Sequence, residues 1–364
     1  MTYIPQMRPL FGEEERSELS SYLAEDGFMT EFRKTAQFEQ GLAQFTGARH
    51  CVVVNNGTIS LTLAAIAVGV GPGDEVIVPN YTMIATPNSV KLIGANPVFV
   101  DVDADTLVAN PDLIRAAITP KTKAIMLVVA NGRESSCGIS AFEAIARETG
   151  IAIIEDAAQG MGSYYRDGRH VGTAGILGSL SFSAPKLIST GQGGAILTNN
   201  DEMASKLRAL KDFGRARGGN DIHDSIGYNF KFTELQACLG LAQMRQLPAR
   251  VLRKREIWCH YRDGLTNIPQ IKLFDHDVGL CTPWFIDCMA ERRDELAAFL
   301  HERGIGTRVM YPPIHRQKAY AYQGVFPVSE SVGRDGLWLP SMIQLSDVQI
   351  DRVCAAVAEF YGSP

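Results

Sequence analysis

Residues 51–68 read CVVVNNGTISLTLAAIAV. Residues 51–54 form a short β-branched run suited to a buried strand. Residues 59–68 are apolar and long enough for a helix, and Asn55, Asn56, Gly57 and Thr58 join the two. Asn and Thr favour the start of a helix, where a side-chain oxygen accepts from a free backbone N–H. A strand that turns this way into a helix also presents other free N–H groups and the positive end of the helix dipole, a seat for a phosphate. From this stretch alone a plain helix cap and an anion site are both open.

The same strand-then-helix pattern repeats downstream. Residues 75–79, 97–101, 124–129 and 151–155 are β-rich, with helical stretches at 84–93, 111–118 and 140–148 between them. Such alternation implies an α/β fold, a mostly parallel sheet sandwiched by helices, with ligands gathering at the carboxyl ends of the strands. Asn56, Asp156 and Lys186 then lie toward one edge. Upstream, a polar segment at 1–9 precedes helices at 13 to about 26, where Leu19, Tyr22 and Leu23 share a face, and at 35–45. Downstream, a helix at 234–247 meets Pro248, which is expected to end or kink it. A further helix at 251–265 leads into a smaller α+β region with strands at 283–289 and 307–311 and a helix at 293–304. The expected organisation is a large domain over 1–247 and a small one over 248–364.

Composition narrows the functional classes. A chain of 364 residues, 46% hydrophobic and 21% charged, can bury the core of more than one domain. Its net charge of −5, with no Lys/Arg cluster among aromatics, argues against a nucleic-acid partner. The seven cysteines are an odd number without paired metal-type spacing, so neither a disulfide framework nor a metal site is expected. The absence of an export-type leader or a membrane-length apolar run makes the cytoplasm the expected location.

Chemistry concentrates at residues 178–199, GSLSFSAPKLISTGQGGAILTN, where Lys186 connects two strand-like runs beside a glycine-rich turn. Partial burial would lower the pKa of that amine enough for it to form a Schiff base with a carbonyl compound. An ordinary surface lysine on a hairpin is the plainer reading. Asp156 follows the run IAIIE, and a carboxylate at the end of a buried strand needs a positive partner. A pyridinium nitrogen would serve, as would a helix cap or an internal salt bridge. A phosphate seat, a buried carboxylate, a lysine and flanking serines together are the parts that hold pyridoxal phosphate.

In order along the chain, NNGT, EDAAQ, SFSAPK with STGQGG, and GYNFKFTELQACLGLAQ resemble the DegT/DnrJ/EryC1/StrS family of sugar aminotransferases, fold-type I pyridoxal-phosphate enzymes. The resemblance covers nearly the whole chain. By position it implies that Lys186 is the Schiff-base lysine and proton carrier. It makes Asp156 the partner of the pyridine nitrogen, Gln159 the contact to the ring 3-oxygen, and Gly57, Thr58 and Ser181 the phosphate contacts. Asn229 matches an asparagine that reaches the phosphate of a neighbouring subunit, which implies a homodimer with shared active sites. Met83 stands where family members carry a ring-stacking aromatic, with Tyr81 nearby as a substitute. The family's HLYG stretch reads here Val129, Ala130, Asn131 and Gly132, followed by Arg133, whose planar fork suits a substrate carboxylate or phosphate. His315, in YPPIH, resembles a substrate-approaching segment. The implied reaction moves an amino group from an amino acid, L-glutamate, to a keto sugar, a nucleotide-linked 4-keto-6-deoxyhexose, in surface-polysaccharide or amino-sugar biosynthesis. Alternatives are another phosphorylated ketone as acceptor, a dehydratase using the same cofactor, and a non-catalytic member. The known dehydratases replace the lysine with histidine.

Overall fold

The computed structural model describes residues 2–25, 27–215 and 221–362. Its larger sheet contains β1 (His50–Val54), β2 (Glu75–Pro79), β3 (Asn96–Val100), β4 (Thr122–Val128), β5 (Ala152–Asp156), β6 (Leu177–Ser181) and β7 (Gly194–Thr198) in the order β1-β7-β6-β5-β4-β2-β3. Only β7 runs against the rest, pairing antiparallel with both β1 and β6. Successive side chains on a strand point to opposite faces, and both faces here are covered. Val53 and Ile77 join one apolar cluster, whereas Val52, Val54, Val76 and Val78 join another on the far side. The covering helices are α1 (Glu13–Leu23), α2 (Arg33–Thr46), α3 (Gly57–Ala67), α4 (Ala85–Leu92), α5 (Pro111–Ala117), α6 (Ile139–Thr149) and α7 (Asp201–Lys211). The first ends earlier than its periodicity suggests, and Asp26 lies outside the described residues.

A single helix, α8 (Glu234–Leu265), then carries the chain across to a second sheet. Pro248 sits inside it and does not end it. Proline removes one ladder hydrogen bond at a cost of about 3 kcal/mol, which the packing of α8 against α1, α2 and α11 (Asp347–Tyr361) offsets. The second sheet is antiparallel, with β8 (Ile271–Leu273), β9 (Ile286–Ala290), β10 (Arg308–Val309) and β11 (Gly336–Leu339) in the order β10-β11-β9-β8. Helices α9 (Arg293–Glu302) and α10 (Pro327–Asp335) lie in the same region. Leu337 and Leu339 on β11 pack with Ile257, Trp258 and Tyr261 of α8 in its core. Ile4 belongs to that core too, fully buried and bridged to Ile305. Both α8 and Ile4 therefore cross the division expected between 247 and 248. All seven cysteines are free thiols, and among the described residues no helix is long and apolar enough to cross a membrane.

Candidate active site

The turn from β1 into α3 builds one wall. Asn56 caps the helix by accepting from the Ile59 N–H at 2.9 Å. The first N–H groups of a helix have no partner in its own ladder, and Gly57 and Thr58 bring theirs to the lining of a cleft shared with Ser181 and Lys186. Ser181, at the end of β6, passes so close that a Cβ on Gly57 would lie 2.9 Å from its Cβ. Glycine is needed there because strand and helix start touch.

The floor comes from the carboxyl ends of β4, β5 and β6. Asp156, the last residue of β5, is buried, and its carboxylate accepts from Thr86 Oγ1 at 2.7 Å and from the Ala158 N–H at 3.2 Å. Burial pushes its pKa up, while these bonds and the Lys186 charge oppose the shift. Among the described residues Asp156 has no ion-pair partner. Lys186 lies on the loop from β6 to β7, where burial lowers its pKa to about 8 against the pull of Asp156. About a tenth of the amine is then neutral at pH 7, far more than for an unperturbed lysine. Gln159 lines the same cleft and accepts the Asn131 N–H through Oε1 at 2.7 Å.

Gly57, Thr58, Met83, Asp156, Gln159, Ser181 and Lys186 thus converge on one solvent-open cleft with about 900 Å³ of empty space. Met83 is nearly half exposed at its edge. Four other expected contacts lie elsewhere. Arg133 is buried, and its fork grips Asp287 at 2.8 and 3.1 Å while Nε donates to the Thr106 carbonyl. Burial raises the Asp287 pKa, but Arg133 and His276 outweigh this and leave it at about 2. An arginine so paired has no fork left for a substrate. Tyr81 is buried in an apolar cluster with Phe274, Phe285 and Trp338, its ring 6.1 Å from Tyr311, so it does not cover the cleft. His315 is buried between Asn80 and Glu330, at 2.9 and 3.1 Å, and pins the loop after β2. Asn229 is exposed beside Asp212, outside the cleft lining of its own chain.

Two important neighbours carry no local signal. Thr86 reaches Asp156 from the start of α4, across 70 residues of sequence. Trp284 places its ring face 4.0 Å from Lys186 Nζ and donates from Nε1 to the Pro185 carbonyl at 2.7 Å. In the sequence, a tryptophan entering a strand reads as core.

Residues 10–358 match the DegT/DnrJ/EryC1/StrS aminotransferase family. The chain belongs to that family. It is 35% identical over 367 residues to the GDP-perosamine synthase of Escherichia coli O157:H7, with all of both chains covered. It is 36% identical to the GDP-perosamine synthase of Caulobacter vibrioides, over 89% of each chain. DesV of S. venezuelae, solved in complex with a ketimine intermediate, superposes with a TM-score of 0.90 at 33% identity, over 98% of this chain and 100% of that one. The protein is a pyridoxal-phosphate-dependent aminotransferase of fold type I.

The residues present fit that cofactor. Asp156 is a buried carboxylate without a bonded cation among the described residues, in place for a pyridinium, and the start of α3 beside Ser181 offers N–H and hydroxyl donors to a phosphate. When bound, the cofactor supplies an electron sink and a carrier for the amino group. Around it the cleft would place a lysine amine whose pKa is lowered to about 8, a buried carboxylate at Asp156 and the side-chain amide of Gln159.

Proposed function

We propose that this aminotransferase moves the amino group of L-glutamate to a nucleotide-linked 4-keto-6-deoxyhexose, the chemistry implied by the name of the GDP-perosamine synthases it resembles. The convergence of Lys186, Asp156, Gln159 and the α3 start in one cleft carries this reading. Similarity over the full length of one such synthase supports the choice of acceptor. Lys186 Nζ takes the proton from the donor's α-carbon and returns a proton to the acceptor's carbon in the second half of the cycle. Asp156 stays ionised, holding positive charge opposite it. Gly57, Thr58 and Ser181 hold the phosphate. Retention of Lys186 speaks against the dehydratase and non-catalytic readings.

The active enzyme is proposed to be a cytoplasmic homodimer in which Asn229 completes the phosphate seat of the neighbouring subunit. Support comes from the exposed apolar side chains around Asn229, namely Phe213, Ile226 and Tyr228. A polar loop rimmed by such groups suits a protein contact.

The test is to load the protein with pyridoxal phosphate, add L-glutamate and follow the absorbance, then add a GDP-linked 4-keto-6-deoxyhexose and look for the amino sugar by mass spectrometry. Wild type should convert with glutamate and make the amino sugar, and Lys186→Ala should do neither. Conversion without an amino sugar would overturn the acceptor, and no conversion would overturn the donor.

A further inference from the structure

Lys186 must swing between bonds and yet return a proton to a defined place, so whatever fixes its resting position bears on the rate. Trp284 provides one such surface, with its ring face 4.0 Å from Nζ. An ammonium is attracted to the face of an indole, most strongly where water is thinned. The ring is itself fixed by the Nε1 bond to Pro185, the residue before the lysine, and by stacking on Phe285 at 3.8 Å between centroids.

Phe285 is in turn clamped. The side chain of Asn131 accepts the Phe285 N–H through Oδ1 and donates to the Phe285 carbonyl through Nδ2, both at 2.8 Å. The backbone N–H of the same Asn131 donates to Gln159 Oε1 at 2.7 Å. That N–H is aimed by a left-handed backbone, φ 53°, which Asn adopts more readily than most residues. One residue therefore reaches both Gln159 and the strand entry bearing Trp284. The Arg133–Asp287 pair, two positions along each segment, locks the same two segments together.

We propose that Trp284 and Asn131 are positioning residues for the transamination: Trp284 is the rest against which Lys186 returns, and Asn131 holds that rest in register with Gln159. The inference depends on the role given to Lys186 above. It adds a function for the VANG segment, which replaces the family's HLYG: an internal brace between the two sheets.

The experiment compares Trp284→Leu, Trp284→Phe and Asn131→Gly with wild type. Glycine keeps the left-handed backbone and loses only the side-chain clamp. The first readout is the glutamate half-reaction of the pyridoxal-phosphate-loaded enzyme, as kcat and KM. The second is acetic-anhydride labelling of Lys186 in cofactor-free protein, by mass spectrometry, with the other lysines as internal controls. Trp284→Leu should lower kcat about tenfold with KM within about twofold, a loss in the range of such contacts. Its Lys186 should label several times faster, because the shielding face is gone. Trp284→Phe keeps a ring face and should recover most of both effects, and Asn131→Gly should fall between. Equal kcat and labelling in Trp284→Leu and wild type, or a phenylalanine variant no better than leucine, would overturn the proposal. If Trp284→Leu does not fold, the other two variants decide it by the same readouts. Activity retained in Lys186→Ala would instead sink the role of the lysine.

Discussion

Glu155 and Asp156 are consecutive carboxylates on β5, both buried, facing opposite sides of the sheet. Glu155 is surrounded by donors, accepting from the N–H groups of Gly172, Ala174 and Gly175 at 2.6, 2.7 and 2.5 Å and from the Tyr165 hydroxyl. Asp156 has one hydroxyl and one backbone N–H, and faces a cleft. Burial raises both pKa values and hydrogen bonds oppose it in both. The difference is spare acceptor capacity, because a buried carboxylate with all its lone pairs engaged is structural and one with room beside it awaits a cation.

That contrast can be broken from either side. Asp156→Asn should cost about a thousandfold in kcat/KM, roughly 4 kcal/mol, while urea unfolding of the cofactor-free protein moves little. Glu155→Gln should do the reverse. An amide nitrogen would face donors that the carboxylate satisfies, at about 2–4 kcal/mol of stability in urea titration, with activity per folded molecule within a few-fold of wild type. If Asp156→Asn unfolds the protein and Glu155→Gln silences it, the assignment of the two faces is wrong. Thr86→Val removes one bond from Asp156, together with the buried Thr82–Thr86 hydroxyl contact, and steady-state kinetics should show a loss of about tenfold.

The smallest effect is a shift in pH dependence. Capture of pyridoxal phosphate by cofactor-free protein needs neutral Lys186, so its rate should rise with pH through about 8 and then level. Asp156 opposes the depression of that pKa, so in Asp156→Asn the rise should come at lower pH, whereas Glu155→Gln should leave it in place. Stopped-flow absorbance measures both. A profile unmoved by Asp156→Asn would mean that the two groups do not sense each other.

What could be read in the sequence was what is local. Alternating strand and helix, the cap at Asn56 and the loop carrying Lys186 depend on residues near each other in the chain, and Asp156 and Gln159, read from motifs, line the same cleft as Lys186. Arg133 was misassigned because its partner Asp287 is 154 residues away, so a loop arginine looked free. Tyr81 and His315 were misassigned for the same reason, since Tyr81 packs among residues of the second region and His315 meets Asn80 across 235 residues of sequence. Thr86 and Trp284 were missed because a single side chain meeting its partner through tertiary packing leaves no periodicity. Pro248 gave a true local signal that long-range packing overrode.

Ile4 lies within the core of the second sheet, bridged to Ile305. During synthesis the partners of this residue emerge from the ribosome only after most of the chain has been made. The segment around Ile4 therefore waits undocked while the larger sheet assembles, and docks after the residues around Ile305 have been made.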